Sequence, residues 1–336
     1  MRFGNPYSTR KSPLVSVVVS VFNGDAALSE TIDSILSQQS VDLELIIVND
    51  GSTDGTLELL RRYSRKHCRI NVLHQNNRGL SNSLIRGCAQ ARGEFIARQD
   101  VGDVSRPYRF IRQVDALRSD KELAYVSCWT EFVGPNNEPL YTGRGEGKAS
   151  KPTWILSEKE EKGVIDGPTS HGSVMFRRDS YNNVGGYRKQ FVYGQDWDLW
   201  YRLSEVGKFQ MIDEILYQVR ITPGSISARH RTNQNRIGRL SREALSLRLS
   251  GLDERTCLEE VSKICNERVR ASAKRSNAWQ LYFVGECLRR NKDSRCREYF
   301  KSAIKDHPML WRAWVRLIQA RIAGQTNADF PTPGNT

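Results

Sequence analysis

The sequence predicts an α/β fold, a doubly wound and mostly parallel sheet followed by an all-helical C-terminal extension. Three observations carry that reading. An apolar run and an amphipathic segment of helical length alternate through the first hundred residues, the pattern of strands joined by crossover helices. Three of the apolar runs end in polar groups, at Phe22-Asn23, Asp50 and Asp100. From about residue 229 onward the strand pattern disappears and arginine becomes frequent. The expected organisation is an α/β domain over residues 13–225, a basic helical domain over 229–323 and a disordered tail over 324–336.

Leu14–Phe22 holds five valines and is the first strand. The helix after it spans Ala26–Gln38, with Leu28, Ile32, Ile35 and Leu36 at the spacing that builds one apolar face. Leu43–Val48 is the second strand, closed by Asn49-Asp50-Gly51. Asp54 stands where a helix running to Arg65 needs a cap, with Leu57, Leu60 and Tyr63 turned inward. Ile70–His74, a helix over Leu80–Ala91 and the strand Glu94–Gln99 complete the alternation. Right-handed crossovers bring the carboxyl ends of parallel strands to one edge, where ligands of open α/β sheets bind. Residues 22, 23, 50 and 100 are therefore expected on one rim. A helix opens near Arg106, and Leu123–Val133, His171–Phe176 and Met211–Val219 read as further strands. Gly134–Lys151 between them reads as a long loop or hairpin.

An apolar fraction of 38% with 26% charged residues describes a globular soluble chain and excludes an extensively disordered one. No run approaches the roughly 20 apolar residues of a membrane span. Arg10 and Lys11 ahead of the first apolar run faintly imitate a leader peptide, but its valines favour a strand. Seven scattered cysteines show no metal-ligand spacing, so free thiols in a reducing compartment are expected.

Three acidic pairs and one histidine are the candidate chemistry. Asp100 and Asp103 end a buried strand just before Pro107, where they either hold a metal–phosphate unit or cap the next helix. Asp50, at its strand end, either accepts from a ring N–H of a ligand or joins Asp54 in capping the helix of residues 54–65. In GQDWDLWYRL, Asp196 shares a helical face with Leu199, Trp200 and Leu203 and points inward from the first turn. Asp198 faces Arg202 at i+4, the geometry of a solvated ion pair. The inward carboxylate is the better base, and its alternative role is an N-cap. His171 has no second His or Cys nearby, so zinc is not expected there.

Taken together, SVVVSVFNG, IIVNDGSTDGT, NNRGLS, GEFIARQDVGD and GQDWDLWYRL resemble a family 2 glycosyltransferase of the GT-A fold over residues 13–225. The resemblance implies inverting transfer of a sugar from a nucleotide-diphosphate donor (UDP, GDP or dTDP type) to an acceptor hydroxyl. It implies a saccharide or lipid-linked saccharide acceptor, in cell-surface, exopolysaccharide or O-antigen assembly. Asp50 then meets the base of the nucleotide, with Ser52 in the same turn. Phe22 and Asn23 lie beside the base, Phe22 either as a stacking face or as core. Asp100 touches the nucleotide or a Mg²⁺ or Mn²⁺ ion, and Asp103 and His171 line the donor site. Gly102 stands where the family has its main metal-ligand aspartate. Without a metal, Arg98, Arg106 or His171 would supply the positive charge a departing diphosphate needs. Asp196 takes the part of catalytic base. The alternative is an inactive relative that binds a nucleotide-sugar or a partner through the same cleft.

The net charge of +13 is not evenly spread. Residues 1–219 hold 28 Lys and Arg against 27 Asp and Glu, whereas residues 220–323 hold 23 against 10. An anionic partner for the last third follows. The helix of residues 229–249 sets Ile237, Leu240, Ala244 and Leu247 on one stripe, flanked by Arg236, Arg239, Arg242 and Arg248. It either packs on the sheet domain or lies on an anionic membrane surface. Phe300, Ala303 and Pro308, then Trp311 and Trp314, resemble part of a tetratricopeptide unit. Nucleic acid is not an expected partner, since no RNP-like or helix-turn-helix signature is present. The expected location is the cytoplasm, peripheral to the cytoplasmic face of the membrane.

Overall fold

The computed structural model describes residues 2–3, 12–144, 167–222, 230–267 and 273–326. The chain divides into two compact units. The first comprises Met1–Thr130, Gly143–Val219 and Asn233–Glu267, and the second Glu131–Thr142, Arg220–Thr232 and Arg268–Thr336.

A two-residue strand β1 (Arg2–Phe3) opens the chain, and the valine-rich segment forms β2 (Val15–Val21). It pairs in parallel with β3 (Leu43–Asp50) on one side and β5 (Phe95–Gln99) on the other. The strand β4 (Ile70–Gln75) continues the parallel half beyond β3, with β1 antiparallel at its outer edge. Strands this apolar need cover on both faces. The crossover helices α1 (Asp25–Leu36), α2 (Thr56–Lys66) and α3 (Leu80–Cys88) supply it. The strands' period of two sorts the core accordingly: Val17, Val19, Ile47 and Leu60 pack on one face, Val18, Ile46, Val48 and Leu84 on the other.

Beyond β5 the sheet changes direction. After β6 (Val104–Ser105), α4 (Arg109–Ser119), β7 (Leu123–Val133) and β8 (Pro139–Gly143), the chain returns as β9 (Met175–Arg177). This strand is antiparallel to both β5 and β7. Two helices, α5 (Arg178–Asn183) and α6 (Gln195–Val206), lead to β10 (Lys208–Arg220). The strand order is β1-β4-β3-β2-β5-β9-β7-β10-β6, with β8 on β7 as the expected hairpin. The fold is thus α/β with a mostly parallel sheet and a helical C-terminal region.

Several boundaries differ from expectation. His171–Ser173 form a 3₁₀ turn rather than the start of a strand. Leu59, not Leu57, is buried on α2. The helix expected near Arg106 starts at Arg109, after Tyr108 in a left-handed conformation. Helices α7 (Arg231–Leu249) and α8 (Arg255–Asn266) follow the expected boundary at 229, yet residues 233–267 fall in the first unit. The reason is packing: Ile237, Val261 and Ile264 form one buried cluster with Phe191.

In the second unit, α9 (Ala273–Arg290), α10 (Cys296–Asp306) and α11 (Trp311–Thr326) surround Val284, Leu288, Phe300 and Leu317. Gly285 lets α9 approach α10, since a Cβ there would lie 2.8 Å from the Phe300 ring. The tail was expected from 324; the last helix runs to Thr326, and residues 327–336 lie outside the described part.

Candidate active site

The carboxyl ends of the parallel strands gather the first group of candidate residues. Asn23 and the turn after β3 are bonded to each other: the Asn23 backbone N–H donates to Ser52 Oγ at 3.0 Å, and Thr53 N–H to Asn23 Oδ1 at 2.8 Å. Phe22 is 51% exposed, which excludes the core alternative and leaves an aromatic face at the rim. The N-cap position of α2 is held by Gly55, and Asp54, one residue ahead of it, still bonds the first residue of the helix. Its Oδ1 accepts from the Thr56 N–H at 3.1 Å and from the Thr56 hydroxyl.

Asp50 does not cap α2. It is 3% exposed and organises the segment that leads into α3. Its Oδ1 accepts from Gln75 Nε2 at 2.7 Å and the Arg78 N–H at 2.8 Å, and its Oδ2 from the Gly79 N–H at 2.8 Å. A carboxylate offers about four lone-pair positions, so three donors leave little spare capacity. Gly51 makes the arrangement possible: its φ is +77°, and a Cβ would lie 2.6 Å from the Asn77 nitrogen. The same loop presents the exposed side chain of Arg78 at the rim, a cation that sequence reading missed.

At the end of β5 the buried charge is dense. Arg98 is fully buried; its Nη1 donates to the carbonyls of Val18 and Gln99, and its Nη2 meets Asp100 Oδ1 at 2.5 Å. Burial by itself would raise the Asp100 carboxyl, but the charge and hydrogen bond of Arg98, together with its other cationic neighbours, hold the group below the usual range. Asp100 is thus an anion with one oxygen engaged and a side chain 38% exposed. Arg109, also fully buried, ties the loop together through Gln99 Oε1, Ser105 Oγ and the carbonyls of Arg98 and Gly172.

Asp103 neither caps a helix nor faces solvent. Its carboxylate, 6% exposed, accepts from the Tyr217 hydroxyl at 2.9 Å, while that hydroxyl accepts from the Asp100 N–H at 3.2 Å. Gly102 lies between them with φ +91°, its N–H on Thr31 Oγ1.

The second group comes from the antiparallel half. Arg98 Nε (3.4 Å) and the Tyr187 hydroxyl (2.7 Å) both face His171 Nε2. A guanidinium can only donate, so Nε2 is an acceptor and the ring proton sits on Nδ1. Burial, aided by Arg98, pushes His171 down to about 3, so it is neutral and is not the cation a diphosphate would need. Arg98 is excluded from that role as well, by its burial.

The Trp200 ring lies 6.5 Å from His171 and brings α6 to the site. At the first turn of α6, Asp196 is partly buried, and its Oδ1 accepts from the Trp197 N–H at 3.0 Å. Desolvation, with the charge of Asp100 adding to it, raises Asp196 to about 6. Asp196 therefore lies within electrostatic reach of Asp100. Its neighbour differs from expectation: Asp198 is 2% exposed, so its ion pair with Arg202 (2.5 Å) is buried and not solvated. Arg188, itself paired with Glu254, closes over it. A helical wheel of α6 alone cannot show that cover.

A metal fits narrowly. Among the described residues no group of three or more His, Cys, Asp or Glu could hold one. Asp100 offers one carboxylate oxygen beyond the Arg98 pair, and Mg²⁺ is held by as few as one carboxylate with phosphates and water. Asp100 is the residue that would hold it.

The family model for glycosyl transferase family 2 matches residues 16–185. The chain belongs to this family. This family 2 glycosyltransferase is 34% identical over 215 residues to the EpsE protein of Bacillus subtilis (strain 168), covering 62% of the chain and 73% of EpsE. It is 28% identical over 211 residues to a chondroitin synthase of Escherichia coli, covering 62% of the chain and 29% of that enzyme. Two solved structures share the fold. S. aureus TarS 1–349 in complex with UDP gives a TM-score of 0.51 at 15% identity, over 91% of this chain and 88% of that one. The mannosyltransferase PcManGT from Pyrobaculum calidifontis, in complex with GDP-Man and Mn²⁺, gives 0.53 at 16% identity, over 93% and 87%. The enzyme is a glycosyltransferase, and among the described residues no helix is long and apolar enough to cross a membrane.

Proposed function

We propose that this glycosyltransferase moves a sugar from a nucleoside diphosphate donor to an acceptor hydroxyl with inversion, in the assembly of an exported or cell-surface polysaccharide. The observation that carries the reading is Asp196, a half-buried carboxyl at the first turn of α6 raised to about 6 by desolvation, with the charge of the anionic Asp100 adding to it. A base is most effective with its proton affinity near the working pH. Asp196 takes the proton of the acceptor hydroxyl as that oxygen attacks the anomeric carbon. The bond to the diphosphate breaks on the opposite face, and one displacement inverts the centre.

Phe22 stacks beside the base of the nucleotide. Asn23, Ser52 and the Asp50-held loop shape the ribose and base edge. Asp100 would hold Mg²⁺ or Mn²⁺, which would supply positive charge to the diphosphate; Arg78 at the rim is a second source of it. The donor class is supported by the fold neighbours bound to UDP and GDP-Man, and the polysaccharide role by the likeness to a chondroitin synthase.

The test is turnover of a panel of UDP-, GDP- and dTDP-sugars by the wild type and by Asp196→Asn. Expected are release of one nucleoside diphosphate, a product of inverted configuration, and loss of transfer but not of donor binding in the variant. A product of retained configuration, or full activity of the variant, rejects the reading.

A further inference from the structure

Helix α11 carries apolar stripes on two opposite sides. Ala313, Leu317 and Ala320 are buried in the second unit's core. Trp311, Trp314, Ile318 and Ile322 recur at three- and four-residue steps, which keeps them on one face, and that face is the other side of the helix. They are 65%, 48%, 55% and 58% exposed. The patch extends to α9: the Arg312 guanidinium lies 5.6 Å from the Trp311 ring centre and 6.0 Å from that of Trp279, itself 40% exposed. A contiguous exposed apolar face of this kind marks an interaction site.

The charge around it selects the partner. Residues 273–326 hold 12 Lys and Arg against 4 Asp and Glu, and residues 311–326 contain no acid at all. Arg312 and Arg321 flank the stripe on its two sides. We propose that this face docks on an anionic lipid bilayer, tryptophans and isoleucines at headgroup depth and arginines against lipid phosphates. Tryptophan favours that interface, apolar at one end and wet at the other. Basic flanks add attraction to an anionic leaflet. A second copy of the chain is disfavoured because two such faces would oppose like charges. The sequence also suggests a membrane role for α7, but Ile237, Ala244 and Leu245 of that helix are buried. Arg236 pairs with Glu267, and Arg248 with Glu205 and Glu254. The lipid-facing role moves to α11 and does not depend on the donor chemistry.

The test is co-sedimentation of the full chain with vesicles of phosphatidylcholine alone or mixed with phosphatidylglycerol, at low and high salt. Binding to the anionic vesicles is expected to exceed binding to neutral ones at least about tenfold and to fall with salt. Trp311→Ser/Ile318→Ser and Arg312→Gln/Arg321→Gln should each weaken it by about tenfold or more. Circular dichroism and donor turnover should stay unchanged in both. Equal binding to both vesicle types, or binding indifferent to both double variants, overturns the proposal. So does a dimer in sedimentation velocity that Trp311→Ser/Ile318→Ser abolishes, which would assign the face to a second copy.

Discussion

Arg98 lies wholly buried beneath Asp100, with its Nη2 2.5 Å from the carboxylate that reaches the rim. One guanidinium thereby ties the middle of β2 to the end of β5 and sets the charge of a site residue. Arg98→Met removes the counter-charge and strands two carbonyls. Breaking a buried pair is strongly destabilising, but Asp100 is partly exposed and can recover water, so the expected loss is about 2–3 kcal/mol. Urea denaturation measures it. A loss below about 0.5 kcal/mol would mean that the pair behaves as a surface one.

Asp50 holds the loop before α3 through three donors, two of them backbone N–H groups. Asp50→Ala leaves these without a partner at a cost of about 1–3 kcal/mol each when buried, less where water reaches. The expected outcome is a loss of about 2–4 kcal/mol and a higher KM for donor, since Gly51 and Arg78 lose their register. Asp50→Asn, which keeps one acceptor oxygen, should fall between. Thermal denaturation and donor kinetics read both, and wild-type stability in both variants would contradict the assignment.

The parallel half of the fold was legible because its strands are apolar over their whole length and end in polar residues, a pattern that only cover on both faces explains. The rim of residues 22, 23, 50 and 100 followed from crossover handedness. What sequence could not show was tertiary cover. Asp198 looks solvated on the helical wheel of α6 and is buried because Arg188 and Arg202 enclose it. Asp103 looks like a cap and instead meets Tyr217, 114 residues away. The Arg98–Asp100 pair did leave a signal, since residues two apart in a strand share a face. His171 reads as a candidate cation, and the surrounding burial with the charge of Arg98 makes it neutral.

Asp196 links activity and stability through one ionisation. A carboxyl raised to about 6 is protonated below that pH and cannot accept the acceptor's proton, so kcat/KM should fall as pH drops through about 6. The folded state also binds this proton more tightly than the unfolded chain does, whose group titrates near 3.8. Stability contributed by the protonated form is complete below 3.8 and lost as pH rises through 6. Asp196→Asn should therefore melt a few degrees higher than wild type at pH 8, with the gap closing towards pH 4. Scanning calorimetry across that range is the measurement; a variant less stable at every pH would show that Asp196 serves as a cap.

Gly102 occupies the loop position between Asp100 and Asp103 with φ +91°. A Cβ there would meet only the Ala27 Cβ, at an ordinary 3.8 Å, so space is not the obstacle to a side chain. The obstacle is backbone conformation, which costs a non-glycine residue about 1 kcal/mol and aspartate less than most. Gly102→Asp should thus fold, with a stability loss of about 1 kcal/mol. If Asp100 alone faces a divalent cation, a second carboxylate two residues away should lower the Mn²⁺ concentration for half-maximal transfer about tenfold, the equivalent of about 1.4 kcal/mol. Metal titration of wild type and variant after EDTA treatment decides it. A folded variant with an unchanged metal requirement would mean that this turn aims position 102 away from the diphosphate, leaving Asp100 and the rim cation Arg78 to meet its charge.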